Sequence, residues 1–203
     1  MKIYNSPLAP NPRRVRIFLA EKGLDVPFVD VDLAKLDQKT QAFSQVNPFQ
    51  GVPTLELDDG GVIAESIAIC RYFEELHPEP PLFGTGALQR AEVEMWQRRA
   101  ELYLLFPIAQ AYRHSHPGAK VLESPQIGEW AEVNRAKTLL AMERFDAALG
   151  DRPFICGEHF TVADITGLVA LDFTRPARIA VPEGLANLRR WRETLNARPS
   201  AKA

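Results

Sequence analysis

Cysteine is nearly absent from this chain of 203 residues: Cys70 and Cys156 stand far apart, form no C-x-x-C pair and have no metal-ligand spacing. A disulfide framework and a cysteine-based metal site are therefore excluded, and a reducing cytoplasm is the expected setting. No metal is expected. No apolar run is long enough to cross a bilayer, and no apolar leader follows Met1, so neither a spanning helix nor a secretory signal is expected. An excess of one charge is missing too. The formal net charge is only −2, too small a field to gather nucleic acid or a membrane surface, and neither is expected as a partner. Internal repeats and low-complexity tracts are also lacking. What is present, 46 % hydrophobic and 25 % charged residues, suits a globular chain with one large core or two small ones.

Two periodicities alternate over the first 80 residues. "KIYNS" and "PFVDVDL" read as strands, and "PRRVRIFLAEKG" between them reads as a helix closed by Gly23. A β-α-β opening favours parallel pairing of its strands. "DQKTQAFSQV" follows as a polar helix-like stretch; "TLEL" and "VIA" then flank "DDGG", a hairpin signal, and "ESIAICRYFEEL" closes the unit as a helix packed on a sheet. The order β-α-β-α-β-β-α describes a small, thioredoxin-sized α/β layer over residues 1–80. "HPEPPLFGTG", dense in Pro and Gly, leads through a linker at 81–86 to residues 87–203, where strand signals vanish. Helical periodicity over 87–116, 124–150, 162–175 and 185–198 predicts an all-α second domain.

Other features have plain structural readings. In "FTVADI", Thr161 is an N-cap, Asp164 sits at N3 to reach back, and Phe160 and Ile165 occupy staple positions, so Asp164 reads as a cap and not as a catalytic acid. Cys70, Cys156, Trp96, Trp130 and Trp191 read as packing residues, and the pairs Arg13–Arg14 and Arg189–Arg190 as solvated faces. On the long helix, Arg99, Tyr103, Phe106, Gln110 and Arg113 share one face, with Leu104, Leu105, Ile108, Ala111 and Tyr112 opposite. The apolar face reads as core; the mixed face fits either a ligand cleft or a dimer interface. Pro107 is expected to break the hydrogen-bond ladder and kink the helix there.

Taken in order, "R-x-x-x-x-L-x-E-K-G", "NPFQGVP", "ESIAICRYF", the proline linker and "FTVADI" resemble the cytosolic glutathione transferase family over essentially the whole chain. "RAELYLLFPIAQAYRHSHPG" is similar to an atypical fungal and bacterial branch of it. The resemblance implies a thioredoxin-like domain with an α-helical domain forming the electrophile pocket. It further implies a homodimer, and a cytoplasmic detoxification activity with glutathione as co-substrate and a small hydrophobic electrophile as its partner.

Glutathione is a peptide with two carboxylates, one amine and a thiol. Val52–Pro53 ends an irregular segment before a strand, and Pro53 cannot donate, so Val52 can turn its N–H and C=O toward a short peptide, as in strand addition. Taken alone, the same residues also suit a plain turn. Ser66 supplies a hydroxyl and a helix-terminal N–H for a carboxylate, while Glu65 suits an ammonium group or merely the helix dipole. The resemblance assigns Glu65 and Ser66 to the γ-glutamyl end and Lys39 to the glycyl carboxylate, with Gln38 and Gln50 also in the binding set.

The thiol must also ionise. Lowering its pKa by about two units takes roughly 2.7 kcal/mol of preferential thiolate stabilisation. Related enzymes place a Tyr, Ser or Cys in the first loop for this task, and this chain departs from all three. Ala9 stands at the serine-type position, Asn5 at the tyrosine-type position with Tyr4 one residue off and facing the other way, and the loop has no cysteine. Three candidates remain: the hydroxyl of Ser6, the amide of Asn11 with its backbone, and His114 acting directly or through water. Each also has a local role, Ser6 and Asn11 in turn and cap and His114 as a helix-end charge. The missing serine leaves two rival activities open, glutathione-dependent peroxide reduction and non-catalytic binding of glutathione or hydrophobic ligands.

Overall fold

A computed structural model describes all 203 residues. They divide into two compact units, Met1–Pro80 and Pro81–Lys202. In the first, β1 (Lys2–Asn5), α1 (Pro10–Lys22), β2 (Phe28–Asp30), α2 (Gln41–Val46), β3 (Thr54–Glu56), β4 (Val62–Ala64) and α3 (Ser66–Leu76) follow in the order expected. The sheet runs β2-β1-β3-β4, with β2 parallel to β1 and the other pairs antiparallel. Local chemistry sets the ends of these elements. Gly23 closes α1 at φ 65°, a left-handed position that costs glycine nothing. β2 is shorter than "PFVDVDL" suggests because the Asp32 carboxylate accepts the N–H groups of Ala34 and Lys35 and turns the chain.

The period-2 pattern of β1 then sorts its side chains between two layers. Ile3 pairs with Leu55, and both are fully buried together with Val15, Ile17 and Phe18 of α1 and Ile69 and Cys70 of α3. Tyr4 points the other way, its ring set edge-on to Phe43 of α2 at 5.4 Å. At the far end of α1, the enclosed Lys22 ammonium pairs with Glu74 at 2.6 Å and donates to the carbonyls of His77 and Pro80. Those partners compensate a charge that burial alone would make very costly.

The second unit is helical: α4 (Gly86–Arg99), α5 (Phe106–Ser115), α6 (Gly128–Leu149), α7 (Val162–Phe173) and α8 (Ala186–Asn196). The kink expected at Pro107 takes the form of a π-helical stretch, Ala100–Leu105, joining α4 to α5. Pro107 has no N–H for the carbonyl four residues back, and the wider turn absorbs the mismatch: the Phe106 N–H reaches the carbonyl of Glu101, five residues back. The two faces survive this change. Leu104, Leu105, Ile108 and Ala111 are buried, whereas Tyr103 and Phe106 remain 58 % and 51 % exposed.

Two arginines expected on solvated faces are not there. Arg14 is buried and donates to Asn11 Oδ1 at 2.8 Å. Arg190 donates to the carbonyls of Gly150 and Arg152, the first of which would otherwise be an orphan just past the end of α6. Trp130 is only partly packed, its indole N–H donating to Gln110 Oε1.

Asp164 is the structural cap that its sequence context suggests. Its carboxylate accepts from the Thr161 N–H and hydroxyl, the Ile155 N–H and the Trp191 indole N–H. Burial pushes its carboxyl above the ordinary range, against the pull of those donors. The same Trp191 ring fills the space beside Gly167 on α7, where a Cβ would collide with the indole. Gly167→Ala should therefore cost about 1–3 kcal/mol despite alanine's better helix propensity, measured as a lower urea midpoint at unchanged slope.

Candidate functional site

Three chain segments meet at one end of the sheet. Tyr4 pairs with Thr54, and Thr54 with Ala64. Carried past the strand ends, these registers bring Pro53 in line with Asn5 and Glu65, and Val52 in line with Ser6 and Ser66. Parallel pairing of Asn5 with Asp30 sends the chain toward Gln38 and Lys39 from the same end. The strand ends thus direct the segments that carry Ser6, Val52–Pro53 and Glu65–Ser66 out of the same end of the sheet. His114 belongs to the other unit.

The loop before β3 is pinned from within. Buried Asn47 donates through Nδ2 to the Gly51 carbonyl (3.1 Å) and Thr54 Oγ1 (2.9 Å), and its Oδ1 accepts the Phe49 N–H (3.0 Å). Gln50 takes a left-handed φ of 56°, its N–H bonded to the Asn47 carbonyl and its side chain to Ser44. Val52–Pro53 is cis. The N–H and C=O of Val52 take no partner within the chain, an open donor–acceptor pair of the kind an added strand needs.

At the start of α3, Glu65 is exposed and holds φ 68° and ψ 120°, a conformation disfavoured for any residue with a Cβ. Ser66 is buried, and no side chain caps this helix end. Across the site, Lys39 is exposed without an ion pair, and buried Gln38 has an amide oxygen with no partner.

The first loop carries the thiol-activation candidates. Ser6 is 8 % exposed, its carbonyl accepts the Ala9 N–H at 3.1 Å, and its hydroxyl makes no bond within the chain. α1 has Ala9 at its N-cap and no side-chain cap. Pro10 and Pro12 lack N–H groups, and the Arg13 N–H turns back to the Ala9 carbonyl. The Asn11 N–H is therefore the one backbone donor left open at the positive end of this helix. The Asn11 side-chain oxygen is taken by Arg14, leaving its Nδ2 to donate. His114, in the last turn of α5, accepts the Ile127 N–H at Nδ1 (3.1 Å), which puts its proton on Nε2 as a donor. Tyr4 is committed elsewhere: its hydroxyl donates to Glu56 Oε2 at 2.9 Å and holds that carboxyl below its usual range.

Two residues that organise this site were not singled out in the sequence. Asn47 bore a recognisable signal, an Asn-Pro step at a helix end, where the Asn side chain commonly bonds the following backbone. Arg16 bore none. Its guanidinium donates to Asn5 Oδ1 (2.6 Å) and the Pro7 carbonyl (2.9 Å), and Asn5 Nδ2 donates in turn to Asp30 (2.7 Å).

Neither cysteine belongs to the site. Burial pushes the thiols of Cys70 and Cys156 up to about 12. In the native protein both should resist iodoacetamide at pH near 8 and react readily once unfolded, which mass spectrometry of the alkylated chain would read out.

Comparison with known proteins agrees with this geometry. Residues 3–81 match the model of the glutathione S-transferase N-terminal domain, and residues 104–199 that of the C-terminal domain. The chain is 40 % identical to Glutathione S-transferase 2 of Saccharomyces cerevisiae, covering 100 % of this chain and 88 % of that one. It superposes on the crystal structure of Gtt2 from Saccharomyces cerevisiae with a TM-score of 0.95, covering 100 % of this chain and 99 % of that one. A class Gtt2 glutathione S-transferase of Vibrio parahaemolyticus follows at 35 % identity and a TM-score of 0.88, covering 100 % of this chain and 96 % of that one. With both halves of the chain matched in order and the pinned pre-β3 loop in place, the protein belongs to the glutathione S-transferase family.

Proposed function

We propose that this protein is a glutathione transferase that joins the sulfur of glutathione to small, largely apolar electrophiles. The observation that carries the reading is the open N–H and C=O of Val52, just before the strand that pairs with the ends of β1 and β4. The cysteinyl backbone of glutathione pairs with Val52, with cis Pro53 and Gln50 shaping the loop. The γ-glutamyl carboxylate takes the Ser66 hydroxyl and the free N–H groups that begin α3, where the helix dipole favours an anion. Glu65 meets the ammonium group. Lys39 takes the glycyl carboxylate, and the unpartnered amide oxygen of Gln38 can accept a peptide N–H beside it. Residues 1–80 form the glutathione-binding domain, the linker spans 81–86, and residues 87–203 form the electrophile pocket.

So anchored, the sulfur lies by the first loop. Ser6 Oγ is the leading donor to the thiolate, because it is buried yet makes no bond of its own; the Asn11 N–H adds the field of α1. The Asn11 side chain, and His114 acting directly or through a water, are the alternative donors. The thiol proton leaves to solvent. The sulfur pair then forms the new S–C bond, and the leaving group departs with its bonding pair, or the attacked double bond takes a proton from water. The chain supplies proximity and anion stabilisation, and none of its own atoms becomes covalently attached. A cytoplasmic homodimer acting in detoxification completes the proposal. The high thiol values of both cysteines weigh against disulfide exchange through the protein.

The ultraviolet absorbance of bound thiolate tests the reading. Glutathione bound to the protein should ionise about two units below the free thiol, and Ser6→Ala should lower kcat by about ten- to a hundredfold with a smaller change in KM. Unchanged turnover in Ser6→Ala, with loss in Asn11→Ala or His114→Ala, would move the donor role to that residue. A bound thiol with the ordinary pKa would instead favour a binding protein.

A further inference from the structure

We infer that Arg16 is a positioning residue for the thiolate site, acting through the loop that carries Ser6; this rests on the proposed transferase reading. Ser6–Ala9 is poor in internal restraint. Pro7 has no N–H, Ala9 offers no cap, and one backbone bond, from the Ala9 N–H to the Ser6 carbonyl, closes the turn. Arg16 supplies the missing tie. Helical side chains lean toward the N-terminus, so its guanidinium reaches back along α1 and spans the residues flanking Ser6, with Asn5 Oδ1 at 2.6 Å before it and the Pro7 carbonyl at 2.9 Å after it. A planar fork holds two such acceptors at once; an ammonium does not hold them in the same geometry.

The second tie fixes the first. Asn5 is buried, and its amide lies between a cation at the oxygen and the Asp30 carboxylate at the nitrogen, 2.7 Å away. Both contacts are charge-assisted, and a flipped amide would set donor against donor and acceptor against acceptor. The side-chain orientation of the last β1 residue is thus unique. The backbone on either side of Ser6 is tied to one guanidinium, so the position from which its hydroxyl projects is set by α1 and β2 as well as by the loop.

Arg16→Met should raise the thiol midpoint of bound glutathione by about one unit and lower kcat/KM about tenfold at a pH below both midpoints. The glutathione Kd should change by less than about threefold, since the anchors of the two peptide ends are untouched. Asn5→Leu should produce a similar rise, and the double variant no more than either alone, because the two residues act as one unit. Arg16→Lys, which keeps the charge, should recover only part of the shift. Should Arg16→Met fold poorly, Arg16→Gln and Arg16→Lys, checked by circular dichroism, carry the same measurement. A thiol midpoint equal to the parent's in these variants would overturn the inference, as would full recovery by lysine, which would indicate a field effect. Absence of a thiolate band in the parent protein would instead sink the transferase reading itself.

Discussion

The loop before β3 stays open to a peptide because the Asn47 side chain does the bonding that the loop backbone would otherwise do for itself. A buried amide with three partners closes the turn around Gly51 and Thr54, and this frees the next peptide groups along, those of Val52. Backbone N–H and C=O groups rarely go unpaired without a partner in solvent or ligand. The proposed ligand contact is in this sense a debt created by the fold. It lies at the sheet end where β1 finishes and β3 begins, so the ladder itself delivers the first loop to the same place.

The proposed anion contacts rest on what the two helix starts lack. α1 has alanine at its N-cap and two prolines in its first turn; α3 has a glutamate at its N-cap whose side chain forms no cap. In most helices a serine, threonine or aspartate would satisfy those ends. Here the dipoles remain uncompensated, and proline deletes competing donors so that one backbone N–H faces outward from α1. α7 is the contrast within the same chain. Asp164 satisfies its first turn so completely, with Thr161, Ile155 and Trp191 as donors, that nothing remains for a ligand. Identical backbone groups are thus satisfied from within at α7 and left without a side-chain cap at α1 and α3.

Much of the architecture was legible because it is written in short-range patterns. Period-2 and period-3.6 runs gave the order of elements, the DDGG hairpin and Gly23 gave turns, and FTVADI gave a cap whose partners lie within a few residues. Bonds between residues far apart in the chain were not legible. Arg190 satisfies a carbonyl 40 residues away, and Asn5 reaches an aspartate 25 residues on; no local window contains both ends of such a bond. Arg16 looked like any arginine on a helix face. At the site, the proposed glutathione contacts rest on motif order, since a glutamate–serine step or a lone lysine has commonplace roles as well. The proposed donor to sulfur is the least legible. Ser6, Asn11 and His114 all have side chains able to donate, and only three-dimensional bonding distinguishes Ser6, with its unused hydroxyl, from Asn11 and His114, each with one polar atom already engaged.

The π-helical stretch before Pro107 has an effect on what this chain can tolerate over time. Because Ala100–Leu105 is wound more widely than its flanks, it fixes the angular phase between α4 and α5. Side-chain exchanges within it leave that phase alone. Five residues at about 3.6 per turn sweep nearly the angle that these six sweep at the wider winding, so loss of one residue would tighten the stretch to ordinary α and leave Ile108 and Ala111 facing the interior, while removing the slack beside Pro107. One residue of length in this stretch is thus the slack that admits the proline, and the buried face downstream does not depend on it.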